Sequence, residues 1–301
     1  MTLLVALTTP ESIWMLADRR LSRGGKPVKE DARKLMILET TDGPALLGYV
    51  GLGATELGTE PVDWMNNVLR GRNLPLEQTL AVLADAANRE LPVHVRPMPQ
   101  PIHSIVVTAL VNDDPRLYTI DLEFSRDRKS YQFRYTRHIN SSPTGPRTAE
   151  LAYGGSGYSY LAKNKKLKRE LRRIISAIKQ NRVSPLVIAD QLAALNYIVS
   201  QSEPTVGERC IVAWRNSKGG VHRGGGGHQF YTKSIRDRDT FEMPPLIGQG
   251  LDIPAIAEVL MRHVCVPMLS SLRTGQPPKI DEDKLRADSD CLPNQPDERL
   301  R

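Results

Sequence analysis

The chain has 301 residues, of which 40% are hydrophobic and 25% are charged. A chain of this length and composition can bury a large core, so we expect one large globular domain with an appendage. The formal net charge of +7 permits weak, salt-sensitive association with polyanions but does not by itself indicate nucleic-acid binding. The three cysteines, Cys210, Cys265 and Cys291, have no spacing typical of a zinc module or a disulfide framework.

No segment of the sequence predicts secretion, a membrane span or a metal site. The N-terminus lacks a basic region followed by an apolar run, and no stretch approaches the roughly 20 apolar residues of a membrane helix. The six histidines lack ligand spacing, and the glycine run at 224–227 lacks the Lys-Ser/Thr of a phosphate-binding loop. We therefore expect a cytoplasmic protein with no metal and no cofactor.

The first half of the chain predicts strands, then helices. Short apolar runs at 3–8, 13–17, 34–38 and 44–50 are separated by turn residues and predict four strands. Two helices follow, one starting near Pro61 and one near Pro75.

The second half repeats this order. Strands are predicted at 102–111, 116–122 and 131–135, helices at 157–180 and 184–200, and a strand at 208–214. The basic segment 163–173 falls on the first of these helices, which favours a solvated basic face over a nucleic-acid site. The order of elements predicts an α+β sandwich in which helices cover two packed sheets.

The chain divides into three predicted parts. Residues 1–222 form the main domain, and residues 223–274 form an extension with a flexible glycine hinge at 224–227 and a helix at 252–272. Residues 275–301 are rich in proline and charge and predict a disordered tail.

The first two residues offer a specific chemistry. Methionine is commonly removed when the next residue is small, and removal of Met1 would leave Thr2 as the terminal residue. A threonine hydroxyl needs a nearby base, and a free amine with a pKa of about 7.7 to 8.0 supplies one. Many proteins begin Met-Thr, so this signal alone is weak.

Four segments extend the signal: TLLVALTT from Thr2, IWMLADRR from Ile13, DARKLM from Asp31 and LLG from Leu46. These segments resemble the start of proteasome β-type subunits and can be aligned with that pattern without a gap. Proteasome β-type subunits are N-terminal nucleophile (Ntn) hydrolases, and the resemblance is to the bacterial homologues of this family. The resemblance implies a four-layer αββα sandwich of Ntn type. It also implies five site residues, namely Thr2, Asp18, Arg20, Lys34 and Gly48.

The implied roles are physically coherent. Lys34 would place a positive charge beside the Thr2 hydroxyl and lower the proton affinity of the amine, while Asp18 would pair with Lys34. Gly48 would donate its backbone N–H to the oxyanion of the tetrahedral intermediate. Taken singly, each residue is equally explained as an ordinary strand or surface residue.

The second half carries a weaker part of the resemblance. The turn Gly154-Gly155-Ser156-Gly157 resembles the family's Gly-Ser-Gly turn, which implies that Ser156 orients the terminal amine. The family's second-half aspartate is missing here. Either Glu203 substitutes for it, or Ser202 and Thr205 supply the polar support, or the amine is poorly organised and activity is low.

The resemblance also implies a primary specificity pocket. Its positions are all apolar and predict a preference for hydrophobic side chains. They fall on Leu21, Ala32, Met36, Leu46, Val50 and Ala54. The strand pattern explains several of them equally well as core residues.

The resemblance therefore implies a threonine peptidase that forms an acyl ester on Thr2. The resemblance implies a homo-oligomeric ring acting on peptides or unfolded proteins. An ATP-dependent unfoldase is a candidate partner, and neither a membrane nor nucleic acid is expected. Two alternatives stay open: an inactive scaffold or binding protein, and a hydrolase of small amides.

Overall fold

The structure is a computed structural model that describes residues 2–23, 26–51, 59–91, 103–124, 131–138, 150–219, 222–239, 242–292 and 296. Its first half contains β1 (Leu4–Thr8), β2 (Ser12–Asp18), β3 (Leu21–Arg23), β4 (Lys26–Lys29), β5 (Leu35–Thr40), β6 (Gly43–Val50), α1 (Pro61–Leu69), α2 (Leu76–Glu90), β7 (Ser104–Val111), β8 (Asp114–Phe124) and β9 (Tyr131–His138).

The second half begins with β10 (Glu150–Gly154), α3 (Ser156–Lys163), α4 (Lys165–Gln180), α5 (Pro185–Ser200) and β11 (Cys210–Asn216). The extension contains β12 (Gly226–Thr232), β13 (Ile235–Arg236), β14 (Leu246–Gly248), β15 (Leu251–Asp252), α6 (Ile253–Leu260), a π-helical turn (Met261–Cys265), α7 (Val266–Thr274) and α8 (Glu282–Asp290).

The strands form two large sheets and one small hairpin. The first sheet has the order β10-β1-β2-β11-β12-β13, and the second has the order β15-β14-β5-β6-β7-β8-β9. Neighbouring strands are antiparallel except β14 and β5, which are parallel. The mixed α+β class predicted from the order of elements is confirmed.

Among the described residues, buried apolar side chains form three clusters. One joins strands β5 to β9 to α1 and α2, and a second joins β1, β2 and β11 to α3, α4 and α5. The third contains side chains from both large sheets, such as Leu4 and Leu46. Alternate residues of β1 therefore belong to different clusters, with Val5 and Leu7 on the helix side and Leu4 and Ala6 on the other. Burial on both faces explains why β1 is an uninterrupted apolar run in sequence.

The predicted helix at 157–180 is two helices. Asn164 separates α3 from α4, and its side chain caps α4 by accepting hydrogen bonds from the backbone N–H groups of Lys166 and Leu167 at 3.0 and 3.2 Å. Leu167 and Leu171 on α4 are buried while its basic residues are exposed, which confirms the solvated basic face.

Residues beyond 222 contribute to both large sheets. Strand β12 pairs with β11, and β14 pairs with β5. The predicted glycine hinge at 224–227 overlaps β12, because the glycines allow close approach: a Cβ at Gly227 would lie 2.5 Å from the Trp214 ring. The domain boundary predicted at 222 thus falls between two neighbouring strands of one sheet.

The C-terminal helices differ partly from expectation. The predicted helix at 252–272 is present as α6, the π-helical turn and α7. This 22-residue helix is long and apolar enough to cross a membrane by length and composition, which the sequence analysis did not anticipate. Helix α8 lies in the predicted disordered tail, where Asp281 caps it by accepting from the Lys284 N–H at 3.1 Å.

Candidate functional site

Three elements bring the predicted N-terminal residues together. Thr2 lies two residues before β1, Asp18 ends β2, and Lys34 immediately precedes β5. The Leu3 N–H donates to Asp18 Oδ1 at 2.8 Å, and the Gly157 N–H donates to the Thr2 carbonyl oxygen at 3.2 Å. The start of the chain is therefore fixed against both the first sheet and the start of α3.

Lys34 is the centre of this group. Its Nζ donates to Thr2 Oγ1, to Asp18 Oδ1 at 2.9 Å and to the Arg20 carbonyl oxygen at 2.5 Å. These contacts use all three N–H donors of an ammonium group. Thr2, Asp18 and Lys34 are all buried, so their electrostatic interactions are weakly screened by water.

Burial lowers the pKa of the Lys34 ammonium, and the neighbouring Asp18 carboxylate opposes part of that shift. A lysine with a lowered pKa loses its proton more easily than an exposed lysine does. Neutral Lys34 could then accept the proton of Thr2 Oγ1, a role that the sequence analysis assigned to the terminal amine. The arrangement thus offers a second candidate base.

The Asp18 carboxylate is held by four donors. Besides the Leu3 N–H and Lys34 Nζ on Oδ1, the backbone N–H groups of Arg20 and Gly207 donate to Oδ2, each at 3.0 Å. Hydrogen bonds from these four donors fix the orientation of the carboxylate. Sequence reasoning missed Gly207, although it lies only two residues after Thr205, which was considered as a support for the amine.

Arg20 connects the same segments through its side chain. Its Nε donates to Glu30 Oε1 at 2.8 Å and its Nη1 donates to the Pro204 carbonyl oxygen at 2.7 Å. Arg20 therefore ties the end of β2 to the loop before β11, and its supporting role in the site stays a prediction.

Ser156, Thr205 and Glu203 form a chain of hydrogen bonds. Thr205 Oγ1 donates to Glu203 Oε1 at 2.6 Å, which leaves Ser156 Oγ to donate to Thr205 Oγ1, also at 2.6 Å. Glu203, Ser202 and Thr205 were the residues that could take the place of the missing aspartate. Of these three, Glu203 and Thr205 are linked to Ser156 by hydrogen bonds. Ser202 is exposed.

Two glycines let the start of α3 approach the start of the chain. Gly155 has φ +85°, and a Cβ there would lie 1.9 Å from the Thr2 carbonyl oxygen. A Cβ at Gly157 would lie 2.8 Å from the Leu3 Cβ. The Gly-Ser-Gly turn is therefore needed for this contact, independently of any catalytic role of Ser156.

Gly48 lies within β6, between β5 and β7. A Cβ at this position would lie 2.1 Å from Leu4 Cδ1 and 2.7 Å from Met15 Sδ. Close packing between the two sheets therefore explains the glycine by itself, and its role as an oxyanion donor stays a prediction.

The structure does not gather the predicted pocket residues into one surface. Leu46 and Val50 belong to the cluster shared by the two sheets, whereas Met36 belongs to the cluster on the helix side. Strand alternation causes this separation, because Met36 pairs with Leu47 rather than Leu46 across β5 and β6. Ala32 is buried, Leu21 is half-buried, and Ala54 lies outside the described residues.

A buried arginine links the extension to this site. Arg19 Nη2 donates to the two carboxylate oxygens of Glu242 at 2.8 and 2.6 Å and to the Asp31 carbonyl oxygen at 2.7 Å. Its guanidinium also lies over the Phe230 ring, 4.9 Å from the centroid. Since Arg19 follows Asp18 and Asp31 lies three residues before Lys34, the extension braces both segments that carry the ion pair.

No metal-binding cluster of three or more His, Cys, Asp or Glu side chains occurs among the residues that the structure describes.

Comparisons with known proteins give structural likeness only. No protein-family model matches the sequence, and no curated protein matches it. A solved structure of an Anbu (Gly-1) mutant from Hyphomicrobium sp. strain MC1 is similar at 13% identity and a TM-score of 0.48, over 79% of this chain and 89% of that chain. Anbu (ancestral beta-subunit) from Yersinia bercovieri is similar at 15% identity and a TM-score of 0.45, over 71% and 82% respectively.

These findings correct one prediction. Membership of the proteasome β-like Ntn hydrolases, inferred from the resemblance of the N-terminal segments, is wrong by this comparison. The sequence matches no family model, and the two Anbu structures are too distant in sequence and in backbone geometry to assign a family. The segments that carried the resemblance are short, largely apolar strands, a pattern that many folds share, so the resemblance did not define a family.

Proposed function

We propose that this chain, once Met1 has been removed, hydrolyses peptide bonds through an acyl ester on Thr2. The observation that carries the proposal is the hydrogen bond from Lys34 Nζ to Thr2 Oγ1, beside the buried carboxylate of Asp18. A threonine hydroxyl is a weak nucleophile near neutral pH, so a base within hydrogen-bonding distance is what this reaction requires.

The reaction balances with the groups present. The proton of Thr2 Oγ1 passes to a base, either neutral Lys34 or the terminal amine, as the oxygen attacks the substrate carbonyl carbon. The C–N bond then breaks, and the protonated base returns the proton to the leaving amine. Water hydrolyses the resulting ester, which releases a carboxylic acid and restores the hydroxyl.

Removal of Met1 is essential to this proposal. Thr2 is only 3% exposed in the chain that still carries Met1, so a substrate has little access to Oγ1. Cleavage before Thr2 would create the free amine and remove the residue that precedes the nucleophile. A chain that keeps Met1 would instead fit the inactive scaffold considered above.

The proposal includes a four-layer αββα arrangement. It is supported by the three apolar clusters, two between a sheet and helices and one between the sheets. Asp18 belongs to the first sheet and Lys34 adjoins the second. The site would then lie where both sheets meet, which is a rigid location for a catalytic group.

The substrate and partners are further parts of the proposal. The substrate class is a peptide or unfolded protein with hydrophobic side chains, handled by a homo-oligomeric ring with an ATP-dependent unfoldase as a candidate partner. The chemistry of Thr2 does not depend on these parts, so they can fail while the peptidase proposal stands.

The test is peptide hydrolysis by the full chain, after intact-mass measurement has shown whether Met1 is absent. Thr2→Ala should reduce hydrolysis to background, while Thr2→Ser should keep measurable activity because it keeps a hydroxyl on a small first residue. Lys34→Met should reduce kcat by about 10² to 10⁴ fold, the usual contribution of a general base. Lys168→Met, at an exposed position of α4, is the matched control and should change nothing.

Two results would reject the proposal. One is retention of Met1 by the whole native population, and the other is unchanged hydrolysis by Thr2→Ala. Turnover of small amides without turnover of peptides would favour the amidohydrolase alternative.

A further inference from the structure

The helix from 253 to 274 leaves an apolar surface uncovered. None of its residues is buried, although most of them are apolar. The six most exposed apolar side chains are Leu260, Met261, Val266, Met268, Leu269 and Leu272. Each of them is between 47% and 82% exposed, and a concentration of exposed apolar side chains on one helix is typical of an interaction surface.

Part of this surface forms a continuous stripe. Met261, Cys265, Met268 and Leu272 follow one another at spacings of four, three and four residues. This spacing keeps side chains on one side of a helix and is the pattern by which two helices pack together in a coiled coil. Leu269 flanks the stripe. We call these five residues the helix seam.

The other side of the same helix is covered by α8. His263 lies roughly half a turn from Met261, and its Nε2 contacts Asp288 Oδ2 at 2.7 Å. Arg262 Nη1 contacts the same carboxylate at 3.5 Å. Helix α8 therefore packs beside the middle of the long helix and leaves the helix seam facing outward.

This arrangement disfavours a membrane as the occupant of the seam. Helix α8 has the sequence EDKLRADSD, so six of its nine residues are charged. Insertion of the long helix would bring those charges to the middle of the bilayer, at a cost of about 2.5 to 3.5 kcal/mol for each on insertion scales. A protein surface avoids this cost because α8 can stay in water.

We propose that the helix seam pairs with the helix seam of a second copy of this chain, with the two helices antiparallel. A four-three-four stripe complements itself in this orientation, with Cys265 of one copy beside Met268 of the other. Antiparallel pairing also brings Glu258, near one end of the helix, towards Arg273, near the other end, whereas parallel pairing places like charges together.

The exposure of the seam supports a pair of copies. Met261, Met268, Leu269 and Leu272 are each at least 50% exposed, so the seam can supply the apolar centre of an interface in which each partner buries ~800 Å². The surrounding polar residues of the helix would complete such an interface. This inference does not depend on the peptidase proposal, since no seam residue takes part in the chemistry of Thr2.

The test compares the molecular mass of the full chain and its variants in solution, by sedimentation velocity over a concentration series. Leu272→Lys should weaken self-association at least tenfold, because it places a charge on the seam. Leu272 is 82% exposed, so the substitution should leave folding intact. Val266→Lys is the matched control: Val266 is also apolar and exposed on this helix but lies off the seam, so this variant should associate like wild type.

A second measurement tests the register. In a Cys291→Ser background, Met268→Cys should form a disulfide with Cys265 of a second copy under mild oxidation and give a covalent dimer. Three results would overturn the inference: a monomeric wild type at all concentrations, equal effects of the two lysine variants, or absence of the covalent dimer. Seam-dependent binding to neutral lipid vesicles without self-association would also overturn it, in favour of a membrane surface.

Discussion

Asp18→Asn is the substitution whose effect the site predicts most sharply. Asp18 is fully buried, and its two carboxylate oxygens accept four hydrogen bonds, from Lys34 Nζ and from the backbone N–H groups of Leu3, Arg20 and Gly207. Asparagine has nearly the same volume but replaces one oxygen with an NH2 group. The new NH2 group would then face N–H groups that donate to the carboxylate in wild type, and Lys34 would lose the negative charge that neutralises it.

The structure sets the size of this effect. Removing one partner of a buried ion pair costs about 3 to 5 kcal/mol, because the other charge is left without compensation. The free energy of unfolding of Asp18→Asn should fall by that amount in urea denaturation followed by circular dichroism. Asp63→Asn is the control, since the pair that Asp63 makes with Arg33 is partly exposed and should contribute less than about 1 kcal/mol.

A double-mutant cycle separates the pair from its surroundings. Lys34→Met removes the charge that Asp18→Asn leaves unpaired, so the double variant should be more stable than the sum of the single effects predicts. The coupling should reach about 1 to 3 kcal/mol, as for residues in direct contact. A loss below 1 kcal/mol for Asp18→Asn, or additive effects in the cycle, would refute the buried ion pair.

Three further predictions follow from the site. Gly155→Ala should abolish activity and reduce stability, because the new Cβ would lie 1.9 Å from the Thr2 carbonyl oxygen. Gly275→Ala is the control, because Gly275 also has a positive φ but a Cβ there would meet nothing within 4 Å, so stability should fall only slightly. Burial lowers the pKa of Lys34 in the folded chain, so between this lowered pKa and the ordinary value of about 10.4 the unfolded chain binds more protons than the folded chain does. The free energy of unfolding should therefore rise with pH in that range. The Lys34→Met variant should not show this rise. Glu242→Gln should lower kcat more than it changes KM in the peptide assay. The reason is that Arg19 would lose its charged partner and hold the segments of Asp18 and Lys34 less firmly. A kcat equal to that of wild type would argue against a role of the Arg19–Glu242 contact in the site.

The main elements could be predicted because their signals are local. The apolar run that became β1, and the Pro75 start that became α2, lie within one or two residues of expectation. Asn164 was missed as a helix boundary because a capping side chain inside a long amphipathic pattern gives only a weak signal. The strand in the glycine run depends on contact with Trp214, which no local pattern reveals.

The candidate site was predictable to different degrees. The resemblance of the N-terminal segments to proteasome β-type subunits implied that Thr2, Asp18 and Lys34 belong to one site, and the structure brings the three side chains together, although the family assignment itself is wrong. The Arg19 to Glu242 contact joins residues 223 positions apart, so neither residue type nor spacing could indicate it. The pocket positions could not be told from core positions, because apolar residues on a strand satisfy both patterns.

The most direct test of the central claim is intact-mass and peptide-mass measurement after acid quench during peptide turnover. The account predicts that the native chain lacks Met1, and that a fraction of the N-terminal fragment beginning at Thr2 carries the mass of the substrate acyl group. An N-terminal fragment that retains Met1, or an acyl group found on any residue other than Thr2, would contradict it.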